Sequence, residues 1–360
     1  MNNSKIGIFC PAWMLAWHNT DHKIVKMFSR LDEFTDLKTD FVASRSYTLS
    51  YNFDKVLKRI VPGAPQILRH QIKDGKKDND LIYHYGSPAA PEAFFKTVNP
   101  VPVFLTTGFM TDRFMKSAFG SIGNRQQEAD QLAKVLDKAA MIHFHTEGGL
   151  NRFLHYRPEF KNKAVAIPFF LPNLRSAPLT ANTGNQSIKI LFVGNEGTRK
   201  GLFELIDALD LLGNTYLKNF NVEVTVVSKD RPIPKCGIKI NWFKKVAHTE
   251  VLRLMEAADI FVLVPKSESY GLVLIEAMNA GCAVITDNDD TRKEILGDAG
   301  MLLSSGTPKA ISNGLKNLIE DHERRAKLGI LARARVKEKF MPSVVADKYA
   351  EQFRMLTNKN

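Results

Sequence analysis

Cysteine is scarce: the 360 residues hold three, Cys10, Cys236 and Cys282, far apart and with no C-x-x-C pair. That spacing excludes a disulfide scaffold and a zinc framework, and the apolar neighbourhoods predict reduced, buried thiols in a cytoplasmic protein. Long apolar runs are missing as well. No stretch approaches the ~18 consecutive apolar residues of a membrane span. The opening MNNSKIGIFCPAW lacks the apolar core of a secretory signal. There is no internal repeat and no low-complexity tract, which excludes solenoids and fibrous chains. What remains is ordinary for a globular protein, 44% hydrophobic and 24% charged. At ~100–200 residues per domain, the length predicts two domains. One number is unusual: 50 Lys+Arg against 38 Asp+Glu, a formal charge of +12. Composition alone leaves nucleic acid, an anionic membrane and a phosphorylated ligand equally open.

Short β-branched and aromatic runs recur with room for helices between them. In the first half they are Lys5–Cys10, Phe41–Ser44, Leu81–Gly86, Val101–Gly108, Met141–Thr146 and Ala164–Phe170. The second half has Ile188–Gly194, Val222–Ser228, Ile238–Phe243, Ile260–Pro265, Ala283–Asp287 and Met301–Ser304. Many are apolar throughout, as parallel strands covered on both faces must be. Helical periodicity fills the gaps, for example His22–Phe34 and Gln126–Ala140. The alternation predicts an α/β protein with doubly wound sheets. From Pro172 to Ser187 the chain reads PNLRSAPLTANTGNQS, without an aromatic residue, which is linker chemistry. The expected domains are therefore residues 1–173 and 188–340, joined by a linker at 174–187, with a last helix within 341–360. Two such domains predict a cleft, with ligands at the carboxyl ends of the strands. Ser343 is the expected N-cap of the last helix, Val344–Leu356.

Two segments concentrate chemistry. In the first, the buried run ILFV leads into Gly194-Asn195-Glu196-Gly197-Thr198-Arg199-Lys200-Gly201 and then the helical LFELIDALDLL. Glycines let backbone N–H groups approach an anion, and a helix start near Gly201 favours negative charge. Arg199 and Lys200 add two cations where a diphosphate would sit. A plain strand–loop–helix turn with solvated cations is the alternative. In the second segment, IFVLV leads to Pro265-Lys266-Ser267-Glu268, then Tyr270-Gly271-Leu272-Val273 opens a helix that stops at Gly281. Backbone N–H groups of Tyr270, Gly271 and Leu272 stand at the helix start, suited to a phosphate or sugar hydroxyl. Glu276 lies in an otherwise apolar helix, so its carboxylate needs a partner. A ligand hydroxyl would serve; so would a basic side chain for Glu276, with Glu268 capping the helix.

Taken together and in this order, the two segments resemble the retaining glycosyltransferases marked by an E-x7-E motif, glycosyltransferase family four of the group 1 type. The matching words are FVGNEGTRKGLFELIDAL and ADIFVLVPKSESYGLVLIEAMNAGCAVITDNDDTRKEILGDAGMLL, with a weaker match at EKFMPSVVADKYAEQF. The resemblance implies the GT-B fold, two Rossmann-like domains facing a central cleft, with a last helix returning to the first domain. It implies transfer of a sugar from a nucleotide-diphosphate donor to a hydroxyl of a glycan or lipid-linked glycan, with retention. It also places Lys200, with Arg199 beside it, at the donor diphosphate, Glu268 at the transferred sugar and Glu276 at the ribose. Gly194, Asn195, Tyr270, Gly271, Leu272 and Val273 complete the implied donor site, with no cofactor and no metal.

The sequence also departs from the family. Gly194-Asn195 stands where Gly-Arg is common, and NDDTRKE follows Asp287 where glycines are usual. The first strand runs into PAWMLAWHN without the glycine-rich turn, and a strand that often ends in a histidine ends in Thr106-Thr107-Gly108. His84, His143 and His145 lie near other strand ends. Asn195 and the missing first-domain histidine motivate an alternative reading, a nucleotide-sugar-binding or assembly subunit without catalysis. Asp78-Asn79-Asp80 and Asp287-Asn288-Asp289-Asp290 have the look of metal motifs but read as a solvated loop and a strand end. The first 180 residues hold 24 Lys+Arg and 16 Asp+Glu, so most of the positive excess lies there. Between Phe53 and Lys77 seven basic residues interleave with apolar ones, a pattern that suits an anionic membrane surface or a plain solvated face. No nucleic-acid-binding module is recognisable.

Overall fold

The computed structural model describes residues 5–9, 27, 33, 35, 38–42, 81–84, 103–106, 133–171 except 135, and 187–357 except 269. The predicted helix His22–Phe34, the basic stretch 53–77, the linker 174–187 and Cys10 lie essentially outside them. Two compact units divide the chain: residues 1–172 with 342–360, and residues 173–341.

In the first unit, six parallel strands form one sheet: β1 (Lys5–Phe9), β2 (Lys38–Val42), β3 (Leu81–His84), β4 (Val103–Thr106), β5 (Met141–Phe144) and β6 (Ala164–Ala166). Their order is β2-β1-β3-β4-β5-β6. Helix α1 (Glu147–Tyr156) follows β5, its N-terminus capped by the Thr146 hydroxyl, which accepts from Gly149 N–H at 3.1 Å. Phe153 of α1 is buried among Leu136, Ile142, Phe144 and Phe160. The helical residues near 133–138 fit the predicted Gln126–Ala140 pattern.

The second unit has its own six-stranded parallel sheet: β7 (Ile188–Val193), β8 (Val222–Val227), β9 (Ile240–Phe243), β10 (Ile260–Val262), β11 (Ala283–Asp287) and β12 (Met301–Leu303). The order β12-β11-β10-β7-β8-β9 is that of the dinucleotide-binding fold. Its order reverses between β7 and β10, and this switch point is where ligands bind in such sheets. The helices are α2 (Gly197–Lys200), α3 (Leu202–Leu212), α4 (Asn214–Asn219), α5 (His248–Ala257), α6 (Leu272–Ala280), α7 (Asp290–Leu296), α8 (Pro308–Glu320) and α9 (His322–Lys339). Helix α6 is buried from Leu274 to Met278 and ends on left-handed Gly281, φ 89°.

Helix α9 brings three arginines to the ends of other helices, with Arg325 buried and Arg333 and Arg335 half-buried. Arg325 donates to the carbonyls of Leu318 and Ile319 at the end of α8, the second at 3.4 Å. Arg333 donates to those of Asn279 and Ala280 at the end of α6 at 3.1 and 3.0 Å. Arg335 donates to those of Ile295 and Glu294 at the end of α7, each at 2.7 Å. The last carbonyls of a helix lack partners and carry its negative dipole end, so guanidinium donors satisfy both needs. Composition shows the arginines but not these destinations.

The last helix, α10 (Pro342–Thr357), belongs to the first unit. Tyr349 is fully buried there, edge-on to the His143 ring with centroids 5.4 Å apart. Ser343 lies inside this helix and is not its N-cap. Pro342 occupies the first helical position, where a missing N–H costs nothing and φ is preset. Cys282 is buried and its thiol pushed up to about 12 by that burial, whereas Cys236 is only half-buried.

Candidate donor site

The loop after β7 is not open. Residues 197–200 wind into the single turn α2, which ends on left-handed Gly201, φ 82°. The following helix begins at Leu202 with Gly201 as its N-cap, as the sequence predicted, and Lys200 ends the preceding turn. Asp230, beyond β8, pins the turn: its Oδ2 accepts from Gly197 N–H at 2.7 Å. A methyl group at Gly197 would lie 2.8 Å from that oxygen. At Gly201 a Cβ would meet the carbonyl oxygen of Val264, beyond β10, at 2.2 Å. The loops after β7 and β10 thus touch backbone to backbone, which demands glycine. A Cβ at Gly194 would lie 2.9 Å from Cβ of Lys200, so this glycine lets the lysine stem fold back over the strand end.

Lys200 Nζ forms an ion pair with Glu268 Oε2, and both side chains are largely shielded, 14% and 10% exposed. Arg199 donates from Nη1 to the Ser267 carbonyl at 2.8 Å and from Nε to Glu196 at 2.9 Å. The hydrogen bond to Glu196 raises the Arg199 pKa and lowers that of Glu196. Lys266 N–H completes the seam by donating to the Arg199 carbonyl at 2.9 Å. Two of the expected cations and the first expected acid are therefore brought together across the switch point.

Gly271 precedes α6 with φ 97°, and its carbonyl accepts from Leu274 N–H at 2.8 Å. Tyr270 is buried, Leu272 and Val273 are half-buried, and Asn195 is exposed. Glu276 is 5% exposed, and its Oε1 lies 2.9 Å from Nε2 of His248, the first residue of α5. Sequence reasoning missed His248, because nothing in KKVAHTEV marks a residue that reaches another helix 28 positions on. Nor did it find Asp230 as the anchor of Gly197.

Other candidates take structural places. Asp287 pairs with Arg292 at 2.6 Å, and Asp289 caps α7 through Arg292 N–H at 2.8 Å. Burial pushes the Asp287 carboxyl up, opposed by the Arg292 charge. Asp287 thus ends its strand as expected and is there a half-buried ion-pair partner. His143 is fully buried, donates from Nε2 to the Ile167 carbonyl at 2.7 Å, and burial lowers its pKa to about 3. Burial also holds His145 well below its ordinary value, with its ring 3.8 Å from that of Phe169. His84 ends β3 and Thr106 ends β4.

Residues 180–335 match the family described as glycosyl transferases group 1. The phosphatidyl-myo-inositol mannosyltransferase of Mycolicibacterium smegmatis is 30% identical over 310 residues, 82% of this chain and 76% of that protein. The chain belongs to the group 1 glycosyltransferases. Its fold is GT-B. Sucrose-phosphate synthase from Thermosynechococcus elongatus superposes over 99% of this glycosyltransferase and 100% of its own chain, TM-score 0.69, at 15% identity. Anabaena HepE, solved with UDP and glucose, covers 98% of this chain with 100% of its own, TM-score 0.64, at 15% identity. In this glycosyltransferase the switch point of the second unit carries Lys200, Arg199 and Glu268. Among the described residues, no helix is long and apolar enough to cross a membrane.

Proposed function

We propose that this group 1 glycosyltransferase moves a sugar from a nucleotide-diphosphate donor to a hydroxyl acceptor with retention and without a metal ion. The observation that carries the reading is the meeting of Lys200, Arg199 and Glu268 at the switch point of a dinucleotide-binding sheet. When the donor's C1–O bond breaks, the diphosphate takes the electron pair. Charge develops on its oxygens, and fixed cations beside it stabilise that charge without reorganising. Lys200 and Arg199 take this part, supplying the positive charge that a divalent ion supplies elsewhere. The acceptor oxygen attacks C1 from the face the diphosphate leaves, and its proton passes to the departing phosphate. Glu268 meets the sugar hydroxyls, Glu276 the ribose, and the backbone from Tyr270 to Val273 the sugar and β-phosphate; Gly194 and Asn195 line the diphosphate side.

The Mycolicibacterium relative, named as a phosphatidyl-myo-inositol mannosyltransferase, supports a glycan or lipid-linked acceptor. The basic stretch 53–77 supports peripheral contact with an anionic membrane at its cytoplasmic face. The test is transfer by purified protein from UDP-, GDP- and ADP-sugars, with Lys200→Ala beside it. Transfer that survives EDTA and falls at least tenfold in the variant is expected. Complete inertness with intact nucleotide binding would instead identify a non-catalytic donor-binding subunit.

A further inference from the structure

Glu276 is the single acid in α6, whose sequence is otherwise LVLI-AMNA. A carboxylate this deeply buried is costly unless donors hold it. One donor comes from a different helix: Nε2 of His248 lies 2.9 Å from Oε1. A carboxylate only accepts, so Nε2 must carry the hydrogen in either charge state of the ring. Its residue opens α5, where backbone geometry is held by Ala247, whose carbonyl accepts from Val251 N–H at 3.1 Å. The ring is about a third exposed while its partner is buried, so it stands between the acid and solvent. A carboxylate with one oxygen fixed from a second helix cannot rotate freely about its last bond, so the plane of the whole group is set.

We infer that His248 is a positioning residue: it holds Glu276 in the orientation that receives the ribose hydroxyls of a nucleoside diphosphate. The inference rests on the ribose role given to Glu276 under Proposed function. The ribose stays with the nucleotide from substrate to leaving group, so loss of this support weakens ground and transition states alike. It therefore raises KM and leaves kcat nearly unchanged.

The test titrates the full-length protein with UDP, GDP and ADP, then carries the tightest binder forward with its 2′-deoxy and 3′-deoxy counterparts. His248→Ala is expected to weaken binding of the ribonucleotide about tenfold and to raise donor KM to match, with kcat within about twofold. His248→Gln, which restores an N–H donor, should recover most of the loss. Deoxynucleotides should lose less, because the hydroxyl that Glu276 receives is already gone. Wild-type binding by His248→Ala overturns the inference, and so does a loss that falls on kcat alone or that His248→Gln does not relieve. Glu276→Gln run in parallel separates the two claims. If it weakens binding while His248→Ala does not, only the positioning role fails; if it binds as wild type, or no nucleoside diphosphate binds, the ribose reading fails with it. Should the alanine variant misfold, His248→Gln against His248→Leu makes the same distinction.

Discussion

Lys200 and Glu268 are 68 residues apart in the chain, yet their side chains form an ion pair at the switch point of the second sheet. With each other they neutralise a site that, on the proposed reading, receives a diphosphate and a sugar. Binding of the donor then exchanges one counter-ion of Lys200 for another. Glu268→Gln removes the competing carboxylate, so the free nucleoside diphosphate should bind at least as tightly as to wild type. Transfer should meanwhile fall about a hundredfold with the loss of the sugar contact proposed for Glu268. Calorimetric titration and initial rates measure the two separately. Weaker binding together with unchanged transfer would contradict the arrangement.

Gly201→Ala should be among the most damaging substitutions in the second unit. The residue sits at φ 82°, and its new Cβ would meet the Val264 carbonyl oxygen at 2.2 Å. The left-handed backbone costs about 1–2 kcal/mol for a residue with a Cβ. The clash forces the two loops apart in addition, for a total of about 3 kcal/mol. Urea unfolding reads the stability. Displacement of Lys200 from Glu268 should lower transfer even where the variant remains folded.

Arg335→Met should destabilise the second unit by about 2 kcal/mol, since it strips two charge-assisted bonds from the end of α7. Arg335→Lys should recover only part, because one ammonium cannot reproduce the two-pronged geometry. The loss should change little with added salt, as the partners are half-buried backbone carbonyls at the helix end and not an exposed ion pair. Thermal unfolding with and without about 0.5 M NaCl checks this, a concentration at which the screening length falls below ~5 Å.

His143 sets a pH dependence for the first unit. Its folded pKa is lowered to about 3 by burial, from an ordinary value of 6.5, and that of His145 is lowered too. Below about pH 6.5 the unfolded chain takes up protons that the folded chain refuses. Stability is therefore complete above that value and lost as the pH falls, by about 1.4 kcal/mol per pH unit for each imidazole. Unfolding free energies at pH 7.5 and 5.5 should differ accordingly, and a flat profile would refute the neutral buried state.

Much was legible in the sequence because it is local. All twelve apolar runs became strands, with Phe41–Ser44 meeting β2 only at its end. The helix α6 stops at Gly281, as a left-handed C-terminal glycine dictates. The two candidate site segments were visible because glycine spacing and charged residues at strand ends are written in consecutive positions. Tertiary structure decided what those positions do. Strand order sets β7 against β10, and only this adjacency brings Lys200 to Glu268 and makes Gly201 indispensable. Packing of α5 beside α6 gives buried Glu276 a histidine where the sequence offered a lysine, an arginine or a ligand. The positive excess divides in the same way. Its amount is a count, but the use of Arg325, Arg333 and Arg335 to close helix ends depends on which helices α9 crosses. Local propensities fix where chain segments begin and end; contacts between segments far apart in sequence follow from how sheets order their strands and how helices then cover them.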